Sequence, residues 1–256
     1  MFEPENDLER SLMKAATDPS HRPQFCRDLL GSVIFLINAN QEPLDVQGGV
    51  VQQGTQIGIQ PWESNGVDWL PIFTSLSRLQ QCLQVETSYL QLNAKDFFEL
   101  TKGAHVVLNP KHDYGKEFIP NEIAGMIDGS IFRAQKGYRV KEEIEVLLAQ
   151  PAQYPTQLVN ALSRLFPKHQ SIKAAYLAHF FNPARDEAPH TLIGIDANGD
   201  WDAIVGEAGM VAQSVLPAGE IVDFIRVSPT DSGPSQYLLT ETKPFYQRSF
   251  LRSLFG

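Results

Sequence analysis

Cysteine is scarce in this 256-residue chain: the only two, Cys26 and Cys82, stand far apart and outside any C-x-x-C pair. A disulfide framework or a zinc knuckle needs more sulfur at closer spacing, so neither is expected. Positive charge is also short, with 21 Lys and Arg against 30 Asp and Glu and a net charge of -9. No dense basic patch offsets that balance, which opposes binding to phosphate backbones and anionic lipid. No apolar run approaches the roughly 18 residues of a membrane span. The opening "MFEPENDLERSLMKAATD" is acidic where a signal peptide needs a basic start and an apolar stretch. The expectation is a cytoplasmic protein that binds neither nucleic acid nor membrane.

Catalytic signatures are missing as well. The chain contains no G-x-S-x-G, H-E-x-x-H or G-x-G-x-x-G. Its six histidines, His21, His105, His112, His169, His179 and His190, lack metal-ligand spacing. No catalytic residue and no cofactor is expected from these patterns.

What is present is ordinary globular composition, 43% hydrophobic and 20% charged, at a length that favours two domains of about 100–150 residues over one. Leu8, Leu12, Ala15 and Ala16 recur at helical spacing and stop at Asp18-Pro19, so a helix opens the chain. Pro23 at a first helical position starts "QFCRDLLG", and "SVIFLINA" reads as a buried strand. Residues 38–66 are rich in Gly, Gln and Asn and read as a loop with at most a hairpin near Val50-Val51 and Ile57-Ile59. "VDWLPIF" and "TSYLQL" are strands, each followed by a helix, capped by Thr74 or Ser75 and by Asn93. "NEIAGMIDG" is a last short helix before a boundary near "SIFRAQKGYRV".

Beyond it, "EEIEVLLAQ" is a strand and "YPTQLVNALSRLFPKH" a helix with Leu158, Leu162, Leu165 and Phe166 on its core face. "SIKAAYLAHFF" and "HTLIGIDA" are strands, "DWDAIVGEAGMVAQSVL" a helix, "EIVDFIRVS" a strand and "SQYLLTETKPFYQR" a final strand. The fold class is α+β: two α/β-sandwich domains, 1–135 and 136–256, the second with the split βαβ order of a ferredoxin-like fold.

Three stretches carry the remaining chemistry. "LNPKHDYGKEFIPNEI", residues 108–123, contains Gly115-Lys116, but a phosphate loop needs Gly at 110 and Ser or Thr at 117, where the chain has Pro110 and Glu117. It reads as a turn between two strands, with Gly115 free to take positive φ. Tyr114, Lys116 and Phe118 are left over as a candidate interaction surface, since aromatics beside a charge suit recognition. "DANGDWDAIVGE" sets Asp196, Asn198, Asp200, Asp202 and Glu207 at calcium-loop positions. Trp201 replaces the required glycine there, so no metal is expected and Asp200 reads as a helix cap. "TETKPFYQRSFLRSLF" interleaves Lys243, Arg248 and Arg252 with Phe245, Tyr246, Phe250, Leu251 and Phe255. It is either a strap held by its aromatics or an exposed basic tail, in which case Lys243, Phe245, Tyr246 and Arg248 join the interaction surface.

Together "KAATDPSHRPQFCRDLL", "LPIFTSLSRLQ", "LNPKHDYGKEFIPNEI", "TLIGIDANGD" and "KPFYQR" make the chain resemble the enhanced serine sensitivity (SseB) family of bacterial cytoplasmic proteins. The resemblance runs in order from about residue 6 to about residue 250. It implies an N-terminal and a distinct C-terminal domain and carries over no catalytic residues. Two functions stand open. One is a non-enzymatic binding or regulatory protein acting on a cytoplasmic protein partner; the other is an amino-acid sensor or enzyme of serine or sulfur amino-acid metabolism with a site between the domains. The second needs an arginine for a carboxylate, and Arg139, Arg226 and Arg248 are the candidates.

Overall fold

The computed structural model describes residues 2–39, 58–83, 87–133, 146–217 and 219–249, with the backbone alone at 46–47 and 50–51. The chain forms two compact units, one from Met1–Thr17 and Gln24–Gly129, the other from Asp18–Pro23 and Ser130–Gly256. The boundary expected at 135/136 lies outside the described residues. No helix among the described residues is long and apolar enough to cross a membrane.

The first unit opens with α1 (Asp7–Thr17) and α2 (Arg22–Leu30), followed by β1 (Val33–Ile37), β2 (Val46–Gln47), β3 (Val50–Val51), β4 (Trp62–Ser64) and β5 (Val67–Phe73). Then come α3 (Leu76–Cys82), β6 (Tyr89–Asn93), α4 (Ala94–Leu100), β7 (His105–Leu108), β8 (Lys116–Phe118) and α5 (Pro120–Asp128). The predicted caps form: Ser75 accepts from the Arg78 N–H and Asn93 from the Lys95 N–H, and left-handed Gly129 follows α5.

The main sheet runs β6-β1-β5-β7-β8, with β4 beside β5 and only β5–β7 parallel. β4 lies inside the stretch expected to be loop. Its source is the Asn65-Gly66 pair, both residues at positive φ, which makes a two-residue hairpin turn and pairs Trp62 with Trp69. β2 and β3 pair Val46 with Val51, Ile59 bridges Asn38, and Ile57 lies outside the described residues.

Strand alternation gives this sheet two different faces. Ile34, Leu36, Ile72, Val106, Leu108 and Phe118 on one face are fully buried, and α4 packs on this side through Phe98 against Phe118. On the other, α3 lays Leu79 over Ile37 and Phe73, and Phe35 and Trp62 pack around them while staying partly accessible.

The second unit comprises β9 (Leu147–Ala149), α6 (Thr156–Leu165), β10 (Ile172–Phe181), β11 (His190–Ala197), α7 (Trp201–Gln213), β12 (Val222–Arg226), α8 (Pro234–Glu241) and β13 (Tyr246–Gln247). Leu158, Leu162, Leu165 and Phe166 meet Ile193, Ile195, Ala208 and Val211 on one side of the sheet. Leu238 of α8 meets Ala178, Leu192 and Val227 in a separate cluster.

The α+β class is observed, but two details differ from expectation. The sheet order is β12-β11-β10-β13, with β9 antiparallel to β10. A split βαβ fold instead sets its first and third strands side by side. Ten-residue β10 is long enough to pair with β9 at Phe181–His179 and with β13 at Ala175-Ala174 along one edge, so the order stays consecutive. The segment expected as one final strand is α8 followed by β13, because Pro234 at a first helical position starts a helix after Gly233 at φ 68.

Candidate functional site

The 108–118 stretch is a turn, built differently from the glycine reading. Its left-handed residues are Asn109 (φ 48) and Lys111 (φ 64), not Gly115. Gly115 is needed for space: a Cβ there would lie 2.7 Å from the Leu108 carbonyl oxygen and 2.9 Å from that of Asn109. Asn109 is fully buried and binds Thr74 twice, accepting from its N–H at 2.9 Å and donating from Nδ2 to its Oγ1 at 2.9 Å.

Thr74 leads to a buried charge pair. Its hydroxyl donates to Glu9 Oε1 at 2.6 Å, Arg78 Nε donates to the same oxygen at 3.1 Å, and Arg78 Nη2 lies 2.9 Å from Glu9 Oε2. The Glu5 N–H donates to Oε2 at 2.8 Å, and Arg78 also reaches the Glu3 carbonyl. Burial pushes the Glu9 carboxyl up, but hydrogen bonds from Arg78, Thr74 and Glu5, with the Arg78 charge, outweigh it and hold the group below its ordinary value. The hydrogen bond to Glu9, opposed by burial and helped by the Glu9 and Glu5 charges, holds Arg78 above its ordinary value. The His112 ring bonds the Arg78 carbonyl at 2.9 Å, and the guanidinium lies 3.8 Å over Phe2, so the turn is pinned to this cluster.

The candidate surface residues therefore have local roles. Tyr114 packs edge-on against Phe2 at 5.1 Å, and Lys116 Nζ is 2.9 Å from Glu122 Oε1. Phe118 is a correction: it is fully buried, 6.0 Å from the Phe98 ring, because it points with Val106 to the helix-covered face.

In the second unit the tail through Ser249 is a strap. Phe245 and Tyr246 pack on Phe166 at 6.1 and 5.6 Å, and the Phe245 and Arg248 N–H groups donate to the carbonyls of Ala175 and Lys173. Arg248 adds bonds to the Ile172 and His169 carbonyls, while Lys243 is exposed. Phe250, Leu251, Arg252 and Phe255 lie outside the described residues. Arg248→Ala is expected to lower stability by about 1.5–3 kcal/mol, as loss of charge-assisted bonds to carbonyls does. Urea unfolding checks this, and a loss within experimental error would show that the aromatics alone hold the strap.

The calcium-loop residues do not converge. Asp196 sits in β11, 3.6 Å from Lys173 Nζ, and Asn198 and Asp202 are exposed. Asp200 caps α7 by accepting from the Ala203 N–H, and Glu207 is buried, 3.1 Å from His169 Nε2. Among the described residues no three His, Cys, Asp or Glu are grouped to hold a metal ion. Of the candidate arginines, Arg226 lies 5.0 Å over Trp201 and donates to the Gly199 carbonyl, Arg248 is in the strap, and Arg139 is outside the described residues.

A polar cluster not foreseen from sequence ties the 182–189 loop to β12. Arg185 of the loop donates from Nε to Asp186 Oδ1 at 2.6 Å and sets Nη2 3.6 Å from Asp223 Oδ2, and His190 Nε2 is 2.9 Å from the same oxygen. The Arg185 hydrogen bond holds the Asp186 carboxyl below its ordinary value.

The face of the first unit's sheet that α3 leaves partly uncovered is aromatic. Phe35 lies 6.1 Å from Tyr89, Trp69 5.0 Å from His105 and Trp62 6.5 Å from Phe73, with Lys111 Nζ 5.0 Å over Trp62. Val33 and Tyr89 on this face are 44% and 46% exposed.

Residues 8–125 match the family model described as SseB protein N-terminal domain, and residues 140–248 match SseB protein C-terminal domain. The chain is 34% identical to Protein SseB of Escherichia coli (strain K12) over 258 residues, covering 98% of this chain and 97% of that protein. It is similar to the same extent to Protein SseB of Shigella flexneri. The chain belongs to the SseB family. No solved structure matches it.

In this SseB-family chain, neither the Glu9–Arg78 pair nor the aromatic face was named from sequence. The pair spans 69 positions, with nothing local to join its ends. The face did carry a signal: Val33, Phe35 and Ile37 alternate with Ile34 and Leu36, so a strand apolar on both sides was legible in β1.

Proposed function

We propose that this SseB-family chain is a non-enzymatic binding or regulatory protein of the cytoplasm that acts through protein contacts. The observation that carries the reading is the aromatic side of the first unit's sheet, where Val33 and Tyr89 are exposed at the end near Phe35 and, beyond the Leu79–Phe73 cluster, Trp62 and Trp69 stay partly accessible at the other. Aromatic side chains with a polar edge gain much contact area for little conformational entropy and dominate interface energetics. Lys111 over Trp62 and His105 against Trp69 add donors at the rim, so the face suits a protein segment with apolar side chains flanked by carbonyl or carboxylate acceptors. The serine-sensitivity phenotype in the family's name supports a partner in amino-acid metabolism.

The test is affinity purification of the tagged chain from its own cytoplasm beside a Trp69→Ala, Val33→Ser variant. Truncating an interface anchor weakens binding by roughly tenfold or more. The partner is expected to be lost from the variant while the melting temperature stays near wild type. Equal recovery on both chains defeats the reading.

A further inference from the structure

Sheet edges are templates for pairing, and proteins guard them with charge, proline or bulges. In the first unit the β8 edge carries Lys116 and Glu117; in the second the β12 edge carries Asp223 and Arg226, and the opposite edge is broken into β9 of three residues and β13 of two, too short to template pairing. β6 differs. It ends its sheet, pairs only with β1 among the described residues, and reads Tyr89-Leu90-Gln91-Leu92-Asn93 with no charge and no proline. Its register with β1 is unbroken over five residue pairs, so no bulge turns the edge away. Gln91 is exposed and Tyr89 is 46% exposed, both on the accessible face.

We propose that β6 pairs with β6 of a second copy of this chain, antiparallel about a two-fold axis through Gln91. The strand is self-complementary, as a two-fold interface requires. Leu-Gln-Leu reads the same in both directions, so Leu90 of each copy lies opposite Leu92 of the other on the helix-covered face. On the accessible face Gln91 meets Gln91 across the axis and Tyr89 stands opposite Asn93, giving amide-to-amide and aromatic-to-amide pairs without like charges. The outward N–H and C=O groups of β6 gain partners, and the two main sheets become one. A neutral edge also removes the local repulsion that a net charge of -9 on each copy sets against association.

Sedimentation equilibrium of the full chain up to high micromolar concentration tests this. The expected mass is twice 28.6 kDa. Gln91→Lys places two like charges face to face at the axis at an exposed position. It should halve the mass to that of one chain, with the melting temperature of a folded protein retained, and mixing it with Gln91→Glu should restore the doubled mass. In the wild type, amide exchange at the outward β6 groups should slow as concentration rises. A wild-type mass of 28.6 kDa throughout overturns the proposal and leaves the edge to another protein. An undiminished mass in folded Gln91→Lys, a Lys and Glu mixture that stays at single mass, or β6 exchange independent of concentration overturns it equally.

Discussion

Arg78→Ala is expected to remove about 3–5 kcal/mol of stability from the first unit, as breaking one half of a buried ion pair does. The Arg78 side chain is 6% exposed and that of Glu9 0%, so truncation strands the carboxylate away from water with only Thr74 and the Glu5 N–H to solvate it. The loss spreads because the same guanidinium holds the Glu3 carbonyl and covers Phe2, against which Tyr114 packs. Replacing both partners with apolar residues, Glu9→Leu with Arg78→Met, should recover most of it, since no unpaired charge remains. Urea midpoints of the single and double variants measure the difference; a single-variant loss below about 1 kcal/mol would mean that water reaches Glu9.

Acid should reveal the same pair. The folded value of Glu9 is depressed, so its stabilising contribution is complete above the ordinary carboxyl range and is lost as pH falls through the folded value. Asp18, where burial opposes and bonds from Ser20 prevail, and Asp186 beside Arg185 shift the same way. Below about pH 4 the wild type should therefore lose stability more steeply than Glu9→Gln, which has no such carboxyl to protonate. Parallel profiles would contradict a depressed Glu9.

Gly206→Ala is expected to carry the second large effect, in the other unit. A Cβ at this position in α7 would lie 2.1 Å from the carbonyl carbon of Phe132 and 2.3 Å from the Arg133 nitrogen. Both are backbone atoms, which cannot rotate aside, so α7 and the short 3-10 turn Ser130–Phe132 must separate. Overpacking of this kind costs about 1–3 kcal/mol or more, against which alanine's better helix propensity returns at most about 1. Two other glycines make the comparison discriminating. Gly194→Ala meets only the side-chain ends of Leu238 and Val227, at 2.5 Å, which have some freedom to rotate. Gly209→Ala, in the same helix, meets nothing within 4 Å and should stabilise by roughly 0.5–1 kcal/mol. Melting temperatures should rank Gly209→Ala first, then wild type, then Gly194→Ala, with Gly206→Ala lowest. A Gly206→Ala chain that melts with the wild type would show that residues 130–133 do not rest on α7.

The caps and periods of the helices were legible because they are local. Ser75, Asn93 and Asp200 each accept from an N–H two or three positions ahead, and Leu158, Leu162 and Leu165 share a helix face whatever packs on it. In α8 the run Tyr237-Leu238-Leu239 reads as a strand, but Pro234 at the first helical position starts a helix, which sets Leu238 against the space that Gly194 leaves.

The amino-acid sequence by itself determined the α+β class, most element positions and the family, since each depends on short-range pattern or on residue identity in order. Only the tertiary structure decided that β9 pairs with β10, that Asn109 serves Thr74, that Glu9 meets Arg78 and that an aromatic sheet face stays accessible. Those depend on which distant segments come together, and contact between residues 35 or 69 positions apart leaves no trace in the local sequence of either.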